Sequence, residues 1–560
     1  MQSLAKRTGG ELLADQLRLH GTDLIFGVPG ESYLAVLDAL HRYRDVMPFI
    51  ACRQEGGAAM MAEAYGKLTG RPGICMVTRG PGATNASAGV HVARQDSTPM
   101  ILFIGQVGSG FRDREAFQEV DFRQMFGPLA KWVAQIDEAA RVPEYVSRAF
   151  HAAVSGRPGP VVLALPEDML REEAAVADAD PYHRVEARPG AGDMAKFRAM
   201  LAAAKRPLAI LGGGGWDAEA VRQVQDFASA SGLPVAVTFR RQDYFDNSLP
   251  TYAGDAGIGL NPNLAERIRS ADLLAVLGAR LSEASTQGFT LLDIPNPKQT
   301  LIHVHADAGE LGRVYRPDLP IVSGPRAFAA ALAEVEPVRS AIWSAWARDA
   351  RDDYEAWQKP PHTPGFVQLA EIVRWLRKTL PDDAIVANGA GNYAIWVHRF
   401  FRYRRFGTQL APASGSMGYG APAAIAAKLV HPQRKVVSFS GDGCFLMTGQ
   451  EFATAVQYRA AATFIVVNNG MYGTIRMHQE RNYPGRVLGT ALTNPDFAAY
   501  ARAFGGFGAV VERTEEFPAA FEAAQASGLP SILELRVDPE AITPRESLSG
   551  IRAAASARSS

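Results

Sequence analysis

The sequence has 560 residues, 47% of them hydrophobic and 21% charged, which is ordinary for a globular protein with several domains. Its 58 basic and 58 acidic side chains give no net formal charge, which argues against a nucleic-acid binder because that class needs a basic face. Three scattered cysteines exclude a disulfide framework. We find neither a signal peptide nor the ~20 apolar residues of a membrane span, and therefore expect a soluble, cytoplasmic protein without a membrane partner.

The first part of the chain alternates short apolar runs with helical stretches. The apolar runs lie at 23–28, 73–78, 99–105 and 159–166, with Ala-rich segments between them. Strands that alternate with helices indicate a parallel α/β sheet. The polar stretch 170–195 has no apolar periodicity, and we predict that it is a linker.

Two further α/β units follow. The apolar runs of the second lie at 207–215, 233–238, 271–280 and 300–307, before a helical stretch, 326–357, and a Pro-rich turn, 359–365. Those of the third lie at 384–389, 435–441, 462–468 and 531–537. We predict an α/β protein of three doubly wound parallel-sheet domains, with the bounds 1–175, 190–345 and 362–545, and a frayed tail, 546–560. Because such sheets bind ligands at the carboxyl ends of their strands, the site is expected there.

The most informative motif lies in the third unit, where two apolar strands end in polar turns. One strand ends at Gly441-Asp442-Gly443, a helix is predicted over 446–458, and the next strand ends at Asn468-Asn469. Both ends lie at one edge of a parallel sheet, where the oxygens of Asp442 and Asn469 and a nearby carbonyl suit Mg²⁺. Glycine backbone and a helix N-terminus suit phosphate. Either motif alone would be an ordinary turn, but together they favour a metal and diphosphate site.

This combination resembles the diphosphate-binding motif of enzymes that use thiamine diphosphate (ThDP). The resemblance implies that the Asp442 and Asn469 side chains and the backbone oxygen of Met471 bind Mg²⁺. It also implies that Gly443 and Cys444 contact the diphosphate through their backbone, so Cys444 is not expected to be a reactive thiol.

The resemblance also implies a glutamate in the first unit, and Glu55 meets this expectation. It begins a helix of small residues after an apolar strand, and its surroundings match the pyrimidine-binding domain of the acetolactate synthase group. ThDP needs a carboxylate at N1′ of its aminopyrimidine to promote proton removal from the thiazolium C2, and burial suits such a group by raising its pKa. Without the resemblance, Glu55 would be a helix-dipole contact.

A Gly-rich turn before 420–430 is the third part of the resemblance. The bent cofactor needs a bulky apolar support, and Met417 occupies the family position that supplies it. The Gly415 carbonyl is expected to accept the 4′-amino group, and Asn392 and Tyr393 lie where relatives contact the diphosphate. Met417 by itself would be a core methionine. In this family the glutamate and the diphosphate site come from different subunits, so the resemblance implies a homodimer or homotetramer.

The resemblance covers about 10–545, in the order pyrimidine-binding, central nucleotide-binding-like and diphosphate-binding domain. It is closest to acetolactate synthase large subunits, and the stretch 104–132 is typical of that group. In it, Gln118 and Lys131 are expected near the cofactor, where a lysine and a glutamine would suit an anionic 2-oxo acid.

Two departures concern the acceptor. Acetolactate synthases have a second arginine, thought to bind the acceptor carboxylate, where this chain has Ala284, and a tryptophan where it has His478. Losing such a cation should cost several kcal/mol of recognition unless another group replaces it. His478, Arg476 and Arg481 are candidate replacements, although His478 also fits an ordinary loop histidine; otherwise the acceptor is an aldehyde or a larger oxo acid.

A third departure is Glu31. Pyruvate decarboxylases keep an acid at this position, and acetolactate synthases have glycine. Glu31 is therefore a candidate proton donor for aldehyde release, or else a helix-start charge.

The central domain of acetolactate synthases holds FAD. Gly212–Gly215 after a strand, with Arg280 and Asp307, is compatible with a nucleotide, but four glycines without GxGxxG are a weak signal. FAD in the central domain is therefore an open alternative.

We predict a ThDP- and Mg²⁺-dependent lyase or transferase that decarboxylates a 2-oxo acid such as pyruvate and ligates the enamine to a carbonyl acceptor. One alternative is a non-ligating decarboxylase of the benzoylformate type, and another is a flavin oxidase of the pyruvate oxidase type. A regulatory subunit without catalysis is disfavoured because Glu55, Asp442 and Asn469 are all present. The sequence does not determine the oxo acid or the acceptor.

Overall fold

The computed structural model describes residues 4–559. Their strands form three six-stranded parallel sheets and one small antiparallel pair, so the predicted α/β class with three parallel-sheet domains is confirmed. In the part of the chain that is described, no helix is both long and apolar enough to cross a membrane.

From residue 4 onward, the first domain contains eight strands and six helices. Its strands are β1 Arg7–Thr8, β2 Ile25–Gly27, β3 Phe49–Ala51, β4 Gly73–Val77, β5 Met100–Gln106, β6 Trp132–Gln135, β7 Pro160–Pro166 and β8 Glu173–Ala174. Its helices are α1 Gly9–Leu19, α2 Leu34–Leu40, α3 Glu55–Thr69, α4 Pro81–Asp96, α5 Phe122–Phe126 and α6 Val142–Val154, with 3₁₀ turns at Glu31–Tyr33, His41–Tyr43, Ser109–Phe111 and Ala139–Arg141. The six-stranded sheet has the order β3-β2-β4-β5-β7-β6, and β1 pairs with β8.

The central domain contains six strands and five helices. Its strands are β9 Pro207–Leu211, β10 Val235–Thr238, β11 Tyr252–Ala256, β12 Leu273–Leu277, β13 Thr300–His305 and β14 Leu319–Val322. Its helices are α7 Ala191–Ala203, α8 Ala218–Ser231, α9 Pro262–Ser270, α10 Pro325–Ala333 and α11 Trp343–Trp357, with 3₁₀ turns at Gln242–Tyr244, Glu283–Ser285 and Ala308–Glu310. The sheet order is β11-β10-β9-β12-β13-β14, which is the order of dinucleotide-binding folds.

Within the described residues, the third domain contains six strands and nine helices. Its strands are β15 Ile385–Asn388, β16 Gln409–Leu410, β17 Val436–Gly441, β18 Thr463–Asn468, β19 Phe507–Val511 and β20 Ser531–Arg536. Its helices are α12 Leu369–Thr379, α13 Tyr393–Phe400, α14 Gly420–Val430, α15 Asp442–Phe445, α16 Phe452–Gln457, α17 Gly473–Asn482, α18 Phe497–Ala503, α19 Phe517–Ser527 and α20 Leu548–Ser559, with 3₁₀ turns at Gly449–Glu451 and Thr514–Glu516. The sheet order is β16-β15-β17-β18-β20-β19.

Two local expectations differ from the structure. The helix predicted over 446–458 is shorter and broken, since α15 ends before it and α16 is preceded by a 3₁₀ turn. The tail 546–560 is not frayed over its described part, because α20 buries Leu548 and Ile551 in an apolar cluster with Met477 of α17. The alanine-rich composition suggested fraying, but burial of two apolar side chains outweighs it.

The first and third domains share one hydrophobic core. It is built largely of alanines on α3, α4 and α14, whose small side chains let the helices approach closely. For example, a Cβ on Gly89 of α4 would lie 2.4 Å from Cβ of Ala59 on α3. This shared core fixes the two sheets relative to each other within one chain.

Candidate active site

A cavity of about 240 Å³ lies at the carboxyl edge of the third sheet, where β17 and β18 end. All nine residues that were predicted in this domain for ThDP and Mg²⁺ line it: Asn392, Tyr393, Gly415, Met417, Asp442, Gly443, Cys444, Asn469 and Met471. The structure thus brings together residues that lie up to 79 positions apart in the chain, between 392 and 471.

Asp442 is the only carboxylate on the wall of this cavity within residues 4–559. Its oxygens accept hydrogen bonds of 2.8 Å from the N–H groups of Gly443 and Gly470 and from Nδ2 of Asn494. Burial raises the pKa of Asp442, and these hydrogen bonds oppose that rise. A divalent cation would offset the desolvation of this carboxylate, and Oδ1 of Asn469 and the Met471 carbonyl complete an oxygen donor set that fits Mg²⁺.

The same cavity has a bare backbone wall that fits a diphosphate. A Cβ on Gly443 would lie 2.5 Å from the Tyr472 ring, so only glycine fits there. Helices α13 and α17 both begin at the cavity, and among the described residues no side chain caps their first N–H groups. Uncapped helix N-termini favour anions, so the wall is suited to phosphate oxygens.

The side chains of Asn392 and Cys444 have other partners. Asn392 Oδ1 accepts a 2.9 Å hydrogen bond from Thr474, and its Nδ2 donates to the Ile542 carbonyl at 3.1 Å. The buried thiol of Cys444 lies 3.3 Å from the Tyr393 hydroxyl and accepts from Gly418 N–H. These side chains join the walls of the cavity, and only their backbone is available to a ligand.

The first sheet has a different carboxyl edge, where Glu55 begins α3. Oε2 of Glu55 accepts a 2.9 Å hydrogen bond from Nδ2 of Asn85, one turn into α4. In the chain as described, Glu55 is not on the wall of the 240 Å³ cavity. The N-terminus of α3 is held by the buried Glu451, which accepts from the N–H groups of Arg53 (3.0 Å) and Gln54 (2.9 Å). Sequence reasoning missed Glu451 because it lies in another domain.

Glu31 and Gln118 lie near Glu55 around the loop that joins β4 to α4. Glu31 Oε1 accepts a 3.1 Å hydrogen bond from Arg79, and its side chain is 67% exposed. Gln118 packs against Gly80, where a Cβ would lie 2.8 Å from Cβ of Gln118. A Cβ on Gly82, in the first turn of α4, would lie 3.3 Å from Oε1 of Glu55. The structure therefore brings the three predicted residues to one edge of the first sheet.

Arg79 is a second residue that sequence reasoning missed. It donates to Glu31 and, at 3.2 Å, to the carbonyl of Phe117, which precedes Gln118. Its Nη1 is buried without a hydrogen-bond partner among the described residues. The available signal was an arginine placed directly before the Gly80-Pro81 turn.

Lys131 is not brought to either edge, and His478 does not line the 240 Å³ cavity among the described residues. Lys131 precedes β6, so it lies at the amino edge, and its Nζ donates to the carbonyls of Ala152 (2.6 Å) and Ser155 (2.7 Å). Burial lowers the pKa of Lys131 to about 8. The structure gives Lys131 this internal role and not the expected place beside a 2-oxo acid. His478 is exposed on α17, one turn beyond Thr474 and Ile475, which line the cavity.

A larger cavity of about 590 Å³, the central cavity, lies where the first, central and third domains meet. It lies at the carboxyl ends of β9, β10, β11 and β12, and its wall includes Gly213, Arg280 and Ala284. Gly213 has a φ of +79°, and a Cβ there would lie 1.9 Å from the Gly278 carbonyl. Asp307 is not on this wall within residues 4–559 and instead caps the 3₁₀ turn Ala308–Glu310.

Comparison with known proteins agrees with this geometry. Residues 7–125, 194–332 and 389–535 match the N-terminal TPP binding domain, the central domain and the C-terminal TPP binding domain of "thiamine pyrophosphate enzyme", where TPP is another name for ThDP.

Curated relatives match nearly the whole chain. It is 31% identical over 557 residues to the acetolactate synthase large subunit of Corynebacterium glutamicum, covering 96% of this chain and 88% of that protein. It is 30% identical to the acetolactate synthase isozyme 2 large subunit of Escherichia coli, with 95% of each chain covered. It is 32% identical to the acetolactate synthase large subunit of Lactococcus lactis, with 89% of this chain and 87% of that protein covered. The chain therefore belongs to the thiamine pyrophosphate enzyme family, in the group of the acetolactate synthase large subunits, and it is a ThDP-dependent enzyme.

Proposed function

We propose that the protein decarboxylates a 2-oxo acid such as pyruvate and joins the remaining acyl carbon to a carbonyl acceptor, in the manner of an acetolactate synthase. The observation that carries this proposal is the convergence of nine residues, including Asp442 and Asn469, on one cavity with a glycine wall and uncapped helix N-termini. Bound ThDP would supply the nucleophilic carbon that attacks the 2-oxo group and accepts the electron pair left by CO₂.

The residues of the third domain bind and orient the cofactor in this proposal. Asp442, Asn469 and the Met471 carbonyl hold Mg²⁺, and the backbone of Gly443 and the starts of α13 and α17 hold the diphosphate. The Gly415 carbonyl would accept a hydrogen bond from the 4′-amino group, and Met417 would support the cofactor.

Glu55 of the first domain would share a proton with N1′ of the aminopyrimidine when ThDP is bound. The amide of Asn85 orients its carboxylate at 2.9 Å, and Gly82 leaves its other oxygen accessible. Since Glu55 does not line the cavity of its own described chain, we infer that two chains complete each site, as a homodimer or homotetramer. Exposed apolar side chains beside these edges, such as Phe117, Ile475 and Met447, support such an assembly.

The acceptor site departs from that of acetolactate synthases. Ala284 replaces the second arginine on the wall of the central cavity, and Arg476 is already paired with the buried Glu480 at 2.9 Å. His478 and Arg481 are the exposed candidates left to bind an acceptor carboxylate. We propose a carbonyl acceptor that is bound less through its carboxylate than in the relatives, either an aldehyde or a 2-oxo acid.

For the central cavity we propose FAD with a structural role. The support is the dinucleotide-type strand order, the position of the cavity at the switch point between β9 and β12, and Arg280 on its wall. The visible spectrum of the purified protein tests this. A flavin spectrum that anaerobic substrate leaves unchanged supports the proposal, bleaching by substrate favours the oxidase alternative, and no flavin contradicts it.

The function is tested by incubating the protein with ThDP, Mg²⁺ and pyruvate and following the products by NMR. We expect acetolactate, or acetoin when acetaldehyde is supplied as acceptor. Acetaldehyde alone would contradict ligation and favour the benzoylformate-type decarboxylase with Glu31 as proton donor. Absence of pyruvate consumption, with turnover of a larger 2-oxo acid, would contradict the choice of substrate. Glu55→Gln is the control for cofactor-dependent turnover.

A further inference from the structure

A short segment, 411–413, leads from β16 into the turn that carries Gly415 and Met417, and charged side chains of the other two domains hold it. Nζ of Lys67 donates to the Ala411 carbonyl at 3.1 Å, and Nη1 of Arg240 donates to the Pro412 carbonyl. The N–H of Ala413 donates to Oδ1 of Asp96 at 2.6 Å. Three consecutive residues of the segment are therefore fixed by side chains from outside the third domain.

Two of these side chains, Lys67 and Asp96, form a buried ion cluster together with Glu63. The Lys67 amine bonds Oδ2 of Asp96 and lies 3.3 Å from Oε1 of Glu63, while Tyr419 donates to the other oxygen of Glu63. Both carboxylates are fully buried. Burial opposes ionisation of Asp96, but Lys67 and Arg241 lower its pKa below the usual value. Buried charges are expensive even when paired, so stability alone is a weak reason for this cluster.

The turn itself has few supports of its own. Gly415 has a φ of +70° and donates to Pro412, and Ser416 bonds only to the next carbonyl among the described residues. At the far end, Gly418 N–H donates to Cys444, and Thr448 donates to the Gly418 carbonyl at 2.6 Å. The turn is thus fixed at two points, and its near end depends on the buried ion cluster and Arg240.

We propose that Lys67 and Asp96 are positioning residues for the cofactor, because they hold the segment that places the Gly415 carbonyl and Met417. This inference rests on the proposed function of those two residues. Neither Lys67 nor Asp96 lines the 240 Å³ cavity in the part of the chain that is described, so they act through the backbone of Ala411 and Ala413.

If Lys67 and Asp96 served stability alone, their removal would lower the thermal midpoint without changing cofactor binding. A second buried pair, Arg157 with Glu310 at 3.0 Å, joins the first and central domains without touching 411–418. Removing it should lower the midpoint of thermal unfolding and leave cofactor binding unchanged. Glu310→Gln is therefore the matched control for loss of a buried interdomain ion pair.

The experiment measures the Kd of ThDP with Mg²⁺ by isothermal titration calorimetry, together with kcat and the thermal midpoint, for the full-length protein. We expect Asp96→Ala and Lys67→Met to raise the Kd about 10-fold, as changes one step removed from a ligand typically do. Asp96→Asn should recover most of the affinity, since its amide oxygen still accepts from Ala413.

An unchanged Kd in Asp96→Ala and Lys67→Met, with the thermal midpoint lowered as in Glu310→Gln, would overturn the inference. If Asp96→Ala does not fold, the comparison of Lys67→Met with Asp96→Asn and Glu310→Gln decides in the same way. Failure of the unmodified protein to bind ThDP would instead overturn the proposed function, and this inference with it.

Discussion

The first and third sheets are the same scaffold with different edges. Counted from its own first strand, each six-stranded sheet has the order second, first, third, fourth, sixth, fifth. The loops at the first edge carry the charged side chains Glu31, Glu55 and Arg79, whereas the described wall of the 240 Å³ cavity at the third edge has glycines, amides and one carboxylate, Asp442. The comparison teaches that the loops after the strands, and not the sheet, give the two edges their different chemistry, which we propose is proton transfer at the first and cofactor binding at the third.

If this division holds, a change at the first edge alters the rate and leaves cofactor affinity unchanged. We expect Glu55→Gln to lower kcat by about 10²- to 10⁴-fold, because the amide cannot share a proton with the aminopyrimidine. Its amide oxygen still accepts from Asn85, so the fold and the Kd of ThDP should be retained. Steady-state kinetics and calorimetry test this, with the exposed Glu138→Gln as control. Full activity in Glu55→Gln would contradict the proposal that the edge of the first sheet determines the rate.

A change at the carboxyl edge of the third sheet should instead weaken cofactor affinity and leave the rate at saturating cofactor unchanged. Asp442→Asn removes the charge that we propose holds Mg²⁺ while keeping the shape of the side chain, and we expect the Kd of ThDP with Mg²⁺ to rise by more than about 100-fold. Activity should recover at saturating cofactor. The same calorimetric titration measures the effect, and Glu55→Gln serves as its counterpart. An unchanged Kd would contradict the metal assignment.

A weaker effect on cofactor affinity is expected at Asn494, which contacts the proposed metal ligand Asp442. Nδ2 of Asn494 donates to Asp442 at 2.8 Å and to Asn468 Oδ1 at 2.9 Å, and thus orients the carboxylate. Asn494→Ala should weaken Mg²⁺-dependent ThDP binding about 10-fold, with kcat nearly unchanged at saturation. A fall in kcat without a change in Kd would place Asn494 in the reaction and not in metal binding.

The smallest expected effect concerns α20, the helix that packs against α17 beside the carboxyl edge of the third sheet. Arg552 of α20 donates to the buried Glu480 of α17 at 2.6 and 2.8 Å. These hydrogen bonds, together with those from Gly485 N–H and Arg476, lower the pKa of Glu480 from its usual 4.5 to about 2. Because the folded pKa is depressed, this stabilisation is present above pH 4.5 and is lost as the pH falls toward 2.

Arg552→Gln should therefore lower the thermal midpoint by roughly 2–4 °C at pH 6, and the difference from the unmodified protein should shrink at pH 3.5. The matched control is Arg558→Gln on the same helix, whose side chain is exposed. A difference that is constant with pH would show that Arg552 acts through packing and not through the charge of Glu480.

The parts of the fold and site that could be predicted are local in the sequence. Buried parallel strands are short continuous apolar runs, such as β5 and β7, and can be recognised without tertiary information. Asp442, Asn469 and Glu55 follow strand ends within a few positions, so the topology alone places them at carboxyl edges.

The remaining parts depend on contacts between distant segments. Lys131 lies only one residue before β6, but its burial against Ala152 and Ser155 depends on how α6 packs. Glu451 holds the start of α3 from nearly 400 positions away, a separation of 397 from Gln54. The fold of α20 depends on two side chains that enter a cluster with α17. No periodicity or motif in the sequence encodes these pairings.

The buried ion cluster also has a thermodynamic consequence. Asp96 and Ala413 belong to the wall of the central cavity as well as to the support of the Gly415 turn. A ligand in the central cavity that tightens this contact must raise the affinity for ThDP, and ThDP must raise the affinity for that ligand by the same factor. If Asp96 positions the turn as proposed, the two sites are reciprocally linked through its hydrogen bond with Ala413, and the Kd of each ligand depends on the occupancy of the other pocket.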